Sequence, residues 1–202
     1  MKKVTILDYK LGNIASIVNM LNFFPNLEIN VSHDPKVILN SDKLILPGVG
    51  SFGDAMIKVN NLNIIESIKQ YVKKGNSILG ICLGMQLLFE KSEELGSHYG
   101  LALISGKVKK ISHDPKVILP NIGYYKLNYN NRSINNLEDY WYYFIHSFQC
   151  IPDYEAHIES TINFNNKKIV SSIVKDNIRG CQFHPEKSSD GGIKFYKNFL
   201  DE

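Results

Sequence analysis

The sequence predicts an α/β fold: a mostly parallel central sheet flanked by helices, with a strand-rich C-terminal half. Three observations predict it. Strand-like and helix-like segments alternate up to about residue 95, as they do where helices cover both faces of a parallel sheet. Short apolar runs end in glycine-rich turns, notably at "LILPGVG" and "SILGICLG". After Gly100 the alternation stops and strands joined by turns take over.

Taken in order, "KKVTILDY" from Lys2 is β-rich and ends in polar residues, a first strand. "NIASIVNMLNFF" from Asn13 has apolar residues at helical spacing, with Pro25 just beyond. "EINVS" reads as a second strand, and "SDKLILPGVGSFGDAM" as a strand running into a glycine-rich turn. "NIIESIKQYVKKG" is an amphipathic helix stopped by Gly75, "NSILGI" a short buried strand, and "MQLLFEKSEE" a helix. Beyond Gly100, "GKVKKI", "YYKLNY", "YWYYFIHSFQC", "EAHIESTINF", "KKIVSSIVKD" and "IRGCQFHP" read mostly as strands, and "GGIKFYKNFLDE" closes the chain as a helix. No linker or low-complexity tract interrupts this pattern, so residues 1–202 are expected to form one domain. The octapeptide "SHDPKVIL" occurs at 32–39 and again at 112–119 with unmatched flanks. Two short copies do not make a repeat architecture.

Composition narrows the class. Hydrophobic residues make up 44% of 202 residues, which suits a soluble globular protein with a real core and argues against disorder. The net charge of +3 is scattered, with no Lys/Arg block that would mark a nucleic-acid surface. Asp8 and Lys10 break the first apolar run too early for a signal peptide. No apolar run approaches the ~20 residues of a membrane span. Cys82, Cys150 and Cys181 are odd in number and widely spaced, which suggests neither a disulfide framework nor a zinc site and fits a reducing cytoplasm.

The chemistry is concentrated in "GICLG", where Gly80-x-Cys82-x-Gly84 sits between a strand and a helix. This is the cysteine form of the nucleophile elbow, whose tight turn requires glycines and pushes the apical side chain out of the sheet. At the start of a helix, free N–H groups favour thiolate over thiol. The same pattern also fits a small hydrophobe in a core turn, since cysteine is among the most buried residue types. A nucleophile needs a base. His184, in "CQFHPEKS", is followed by Pro185, and Glu186 is close enough to orient its ring. His146, in "YFIHSF", is a rival, while His33, His98, His113 and His157 read as structural. The turn "LPGVGSFG" can aim backbone N–H groups at a developing oxyanion, with the N–H of Leu83 as a second donor.

These segments, with "DYKLGNIAS", "GLALISGKV" and "PNIGYYKL", run from Asp8 to Ser188 and resemble the class I, triad-type glutamine amidotransferases. "PGVGSFGDAM" with "YFIHSF" narrows the resemblance to the branch of glutaminase subunits of imidazole glycerol phosphate synthase. The resemblance implies Cys82 as nucleophile, His184 as general base and acid, and Glu186 as its orienter. It implies an oxyanion hole from the N–H groups of Val49 and Leu83. Gly48, Gly50, Gln86, Ser147 and Phe148 would line the glutamine pocket, although Gln86 taken alone reads as a surface or capping amide. No metal or organic cofactor is implied. A separate (β/α)8-barrel cyclase would receive the ammonia, making imidazole glycerol phosphate and a purine precursor, AICAR, in histidine biosynthesis. Asn13, Tyr124, Tyr143 and Lys187 would lie at that interface. The aromatic run "YWYYF" belongs either to the interface or to a core strand.

Three positions depart from the resembled pattern: Lys10 where the first turn usually has glycine, and Asn121 and Tyr124 where histidine and tryptophan are usual. All would face the partner. They leave open a paralogous role, supplying ammonia for amidation of a bacterial surface sugar. A stand-alone cysteine amidohydrolase and an inactive scaffold are the remaining readings.

Overall fold

The computed structural model describes residues 1–130 and 137–202. Its first half alternates as the sequence predicts: β1 (Lys2–Leu7), α1 (Ile14–Leu21), β2 (Leu27–Ser32), α2 (Pro35–Leu39), β3 (Lys43–Leu46), α3 (Phe52–Asn61), α4 (Ile65–Lys73), β4 (Ser77–Ile81) and α5 (Leu83–Leu87). Strands then dominate: β5 (Phe89–Ser92), β6 (His98–Tyr99), β7 (Ile104–Lys110), β8 (Asn121–Lys126), β9 (Asn128–Tyr129), β10 (Trp141–His146), β11 (Phe148–Pro152), β12 (Ile158–Phe164), β13 (Lys167–Lys175) and β14 (Ile178–Cys181), before the closing helix α6 (Ser189–Asp201).

The main sheet has the order β2-β1-β3-β4-β14-β13-β12-β9. It is parallel from β2 through β14 and antiparallel beyond. Strand alternation divides the core between its two faces. Val4 and Ile6 of β1, Ile45 of β3, and Leu79 and Ile81 of β4 join one apolar cluster with α1 and α6. Leu44, Leu46 and Ile78 point the other way, into a cluster with α2 through α5. Because both faces are covered, a one-residue slip of any central strand would exchange its two buried sets, so register is firmly specified. Each fully buried Leu or Ile stabilises the fold by about 1.5–3 kcal/mol relative to leaving it exposed. Two smaller sheets, β10-β8 and β11-β7-β5-β6, build the wall beside the C-terminal ends of the parallel strands. Among the described residues, no helix is long and apolar enough to cross a membrane.

The expected helix over "MQLLFEKSEE" is corrected. Helix α5 stops at Leu87, and Phe89–Ser92 is strand β5, parallel to β7. Met85, Leu88, Phe89 and Ser92 are all buried and spaced as on a helix, but the chain at 101–104 takes the free carbonyls of Leu87 and Leu88. Strand pairing therefore ends the helix. Conversely, the glycine-rich turn is shorter than expected, because Ser51 caps α3 by accepting the N–H of Asp54.

The two "SHDPKVIL" copies form the same local cap. In each, the serine hydroxyl accepts the aspartate N–H, and the aspartate carboxylate accepts the lysine N–H two residues on. Only the first continues as a helix, α2. In the second, Leu119 precedes Pro120, which disfavours helical geometry at Leu119 and offers no N–H.

Candidate active site

Three strand ends converge: β3 runs into Pro47–Gly50, β4 into Cys82, and β14 into Gln182–Glu186. Such ends are where parallel sheets place their sites. Cys82 has φ 53° and ψ −110°, a conformation that costs a non-glycine residue about 1–3 kcal/mol. It persists because its surroundings are tight. The Cys82 N–H donates to Cys181 O at 2.7 Å, and Cys82 O accepts the N–H of Gln86 at 3.2 Å. A Cβ on Gly80 would stand 2.7 Å from Gly84 O, and one on Gly84 would overlap Leu46 O. The two glycines of the elbow thus let strand and helix touch, as the pattern required.

A cavity of about 280 Å³ opens at this point, lined by Val49, Gly50, Cys82, Leu83, Gln86, Glu94, His146, Ser147, Phe148 and His184, with Pro120 and Ile145 at its edge. Cys82 therefore faces a cavity, whereas Cys150 and Cys181 are wholly buried and burial pushes their thiols well up. Among the described residues, no backbone carbonyl accepts the N–H of Val49 or Leu83. Gly48 does not line the cavity. It packs behind the loop, where a Cβ would meet Tyr9 Oη at 2.7 Å and Gly84 N at 2.8 Å.

His184 is nearly buried. Its Nδ1 lies 2.8 Å from Glu186 Oε1, so Nε2 is the nitrogen left for Cys82. Burial alone would lower the His184 pKa, but hydrogen bonding and charge from Cys82 and Glu186 outweigh it and raise the value to about 10. An imidazolium next to a sulfur is therefore the favoured state. His146 is tied up differently. Its Nδ1 meets Phe148 O at 2.7 Å and its Nε2 meets Asn121 Nδ2 at 3.1 Å. Since that carbonyl only accepts and that amide nitrogen only donates, the ring is neutral, with its proton on Nδ1. Burial lowers its pKa to about 4.

Gln86 is buried, and its Nε2 reaches Phe148 O at 3.4 Å and Gln182 Oε1 at 3.1 Å. Gln182 was not singled out from the sequence, although it lies in the same "CQFHPE" segment. Nor was Glu94, the last residue of the segment expected to be a helix. Its carboxylate accepts the N–H of Phe52 at 2.7 Å while lining the cavity.

Around the cavity mouth, the run "YWYYF" divides by strand alternation. Tyr142 and Phe144 are core, while Trp141, Ile145 and, in part, Tyr143 face outward. Tyr143 packs at a tilt against Tyr124, 5.3 Å between centroids, Lys187 Nζ lies over the Tyr143 ring, and the His184 N–H donates to Tyr143 O. Tyr124, Tyr143 and Lys187 thus form one cluster beside His184. Asn13 stands at the N-terminal end of α1 without a capping side-chain hydrogen bond, and α1 packs on the turn holding Lys187.

The profile of the glutamine amidotransferase class-I family matches residues 6–202. The imidazole glycerol phosphate synthase subunit HisH of Chlorobaculum tepidum is 39% identical over 98% of this chain and 99% of its own. The subunit of that name from Aquifex aeolicus is 40% identical, over 98% of this chain and 95% of its own. Among solved structures, a glutamine amidotransferase superimposes with a TM-score of 0.76 at 16% identity, covering 98% of this chain and 97% of that one. PurLQS of Thermotoga maritima matches equally well, at 0.76 and 17%, over 99% of this chain and 98% of the other. The structural matches speak for the fold, and the profile match over nearly the whole chain for the lineage: this chain belongs to the class-I glutamine amidotransferase family.

Proposed function

We propose that the chain is the glutaminase subunit of a cytoplasmic imidazole glycerol phosphate synthase, hydrolysing glutamine to glutamate and passing ammonia to a separate (β/α)8-barrel cyclase in histidine biosynthesis. The observation that carries the reading is that Cys82 and His184, from distant parts of the chain, line one cavity, with Glu186 bonded to the far nitrogen of the His184 ring. The names of the relatives support the pathway over amidation of a surface sugar. Three free cysteines fit a reducing compartment.

In this reading the Cys82 sulfur attacks the side-chain carbonyl carbon of glutamine, forming a C–S bond. The oxygen takes the negative charge and is held by the N–H groups of Val49 and Leu83. His184 gives its proton to the nitrogen, the C–N bond breaks, and ammonia leaves. Water then attacks the γ-glutamyl thioester, giving its proton to His184 as sulfur departs, and glutamate is released. Glu186 holds the ring so that Nε2 faces the sulfur. Gly50, Gln86, Ser147 and Phe148 shape the pocket, and Glu94 supplies an anion for the substrate's α-ammonium group. Ammonia reaching water would mostly become ammonium, which is not a nucleophile, so a docked partner is required. Asn13, Tyr124, Tyr143 and Lys187 form the proposed docking face, whose exposed Ile122, Trp141 and Ile145 are suited to burial.

The test is glutamate release from glutamine by the chain alone, then with a candidate cyclase carrying its nucleotide ligand. Strong stimulation by the loaded partner supports the reading. Full activity alone on other amides would replace it with a free amidohydrolase, and tight partner binding without turnover would replace it with a scaffold.

A further inference from the structure

We infer that Gln182 is a positioning residue whose side-chain amide holds the Cys82 sulfur in place as the thiolate. The inference rests on the reading of Cys82 as the nucleophile. Gln182 is fully buried, flanked by Cys181 and Phe183, which are equally buried. Its own N–H is anchored on Ser171 O at 2.8 Å. From there its side chain spans two partners: Nε2 lies 3.6 Å from Cys82 Sγ, and Oε1 lies 3.1 Å from Gln86 Nε2.

The orientation of that amide is set by one atom whose chemistry is not in question. Phe148 O is a backbone carbonyl and can only accept. Gln86 must therefore turn its NH2 toward it. The same NH2 group faces Gln182, which must meet it with Oε1 and so present its own NH2 to the sulfur. Flipping either amide would set oxygen against oxygen, or two N–H donors against each other, between two buried side chains, a mismatch costing about 1–3 kcal/mol per group. His146 donates to the same carbonyl, and Asn121 completes the set, its Oδ1 accepting from Tyr125 Oη at 2.6 Å. Two arms of hydrogen bonds meet at Phe148 O, which accepts from both, and the arm through Gln86 and Gln182 ends in a donor aimed at Cys82. A donor stabilises S⁻ over S–H. It also fixes where the sulfur sits relative to the Leu83 N–H.

A glutamine that only filled space would be replaceable by methionine, of similar length, without altering the thiol. The experiment uses the full chain, as wild type and as Gln182→Met. Iodoacetamide alkylation is followed across pH at the Cys82-containing peptide by mass spectrometry, with a thermal melt to verify folding. For Gln182→Met, the pH of half-maximal alkylation is expected to rise by about one unit, the worth of one charge-assisted hydrogen bond. An unchanged midpoint overturns the inference. If Gln182→Met does not fold, Gln86→Leu leaves Gln182 in place but frees its amide to turn. It is expected to move the midpoint in the same direction by less, and no movement again overturns the inference. Glutamine turnover by Cys82→Ala separates this from the reading beneath it. Retained turnover there removes Cys82 as the nucleophile, whereas Cys82-dependent turnover with an unmoved midpoint removes only the role of Gln182.

Discussion

Replacing Gly48 by alanine strikes the proposed oxyanion site without touching the triad. The added Cβ would lie 2.7 Å from Tyr9 Oη, 2.8 Å from Gly84 N and 2.8 Å from Leu83 Cβ. None of these can swing aside. Tyr9 is buried with its hydroxyl bonded to Pro47 O, and Gly84 N is backbone within the elbow. Restoring ordinary contact, which begins at 3.4 Å, requires the loop to retreat by about 0.7 Å from the 2.7 Å approach to Tyr9 Oη. That lengthens the reach of the Val49 N–H to an oxyanion also held by Leu83. Losing one such donor costs about 10²–10³ in turnover, and a displacement of this size is expected to cost about 10–100-fold in kcat. KM should change little, because the donor acts mainly on the transition state. Overpacking should also cost about 1–3 kcal/mol of stability, read from urea unfolding. The assay is steady-state glutamate release with the loaded partner present. A folded Gly48→Ala protein with kcat within twofold of wild type would refute the assignment of Val49 and Leu83.

The same geometry sets three other outcomes. Cys82→Gly should be more stable than Cys82→Ala by roughly 1–3 kcal/mol in thermal melts, because glycine tolerates the positive φ at residue 82. Equal stability would mean that the elbow stores no strain. The native protein holds on His184 a proton that the unfolded chain releases near pH 6.5, and keeps it to about pH 10. The resulting stabilisation is complete below the lower value and is lost as pH rises through the upper one. Glu186→Gln should narrow that window in unfolding curves measured across it, and an unchanged pH dependence would show that Glu186 does not support the ring's charge. Tyr143→Ala with Lys187→Ala should weaken stimulation by the partner while leaving the thermal melt nearly unchanged. Undiminished stimulation would move the docking face elsewhere.

Much of this site was legible because its chemistry is local in sequence. Gly80, Cys82 and Gly84 announce an elbow through spacing alone, and the close approaches of Gly84 to Leu46 O and of Gly80 to Gly84 O explain why neither glycine can be replaced. His184 and Glu186 lie two residues apart, so their contact needs no knowledge of the fold. Gln182 was overlooked because a single buried amide leaves no periodic signal, and its meaning depends on Gln86, which comes from another element. Glu94 was hidden by the misread segment before it. Met85, Leu88, Phe89 and Ser92 satisfy helical spacing as well as the observed short helix and strand, and only pairing with β7 decides between them. The "SHDPKVIL" copies make the same point. Identical residues make identical caps, and the residues just beyond 39 or 119 determine whether a helix grows.

The most direct measurement is glutamate release by Cys82→Ala in the presence of the partner and its nucleotide ligand, with binding to that partner checked in parallel. Turnover should fall by about 10⁴-fold or more, as expected when a covalent nucleophile is removed, while the variant still folds and still docks. A variant that retains most of the wild-type rate would contradict the mechanism at its first bond.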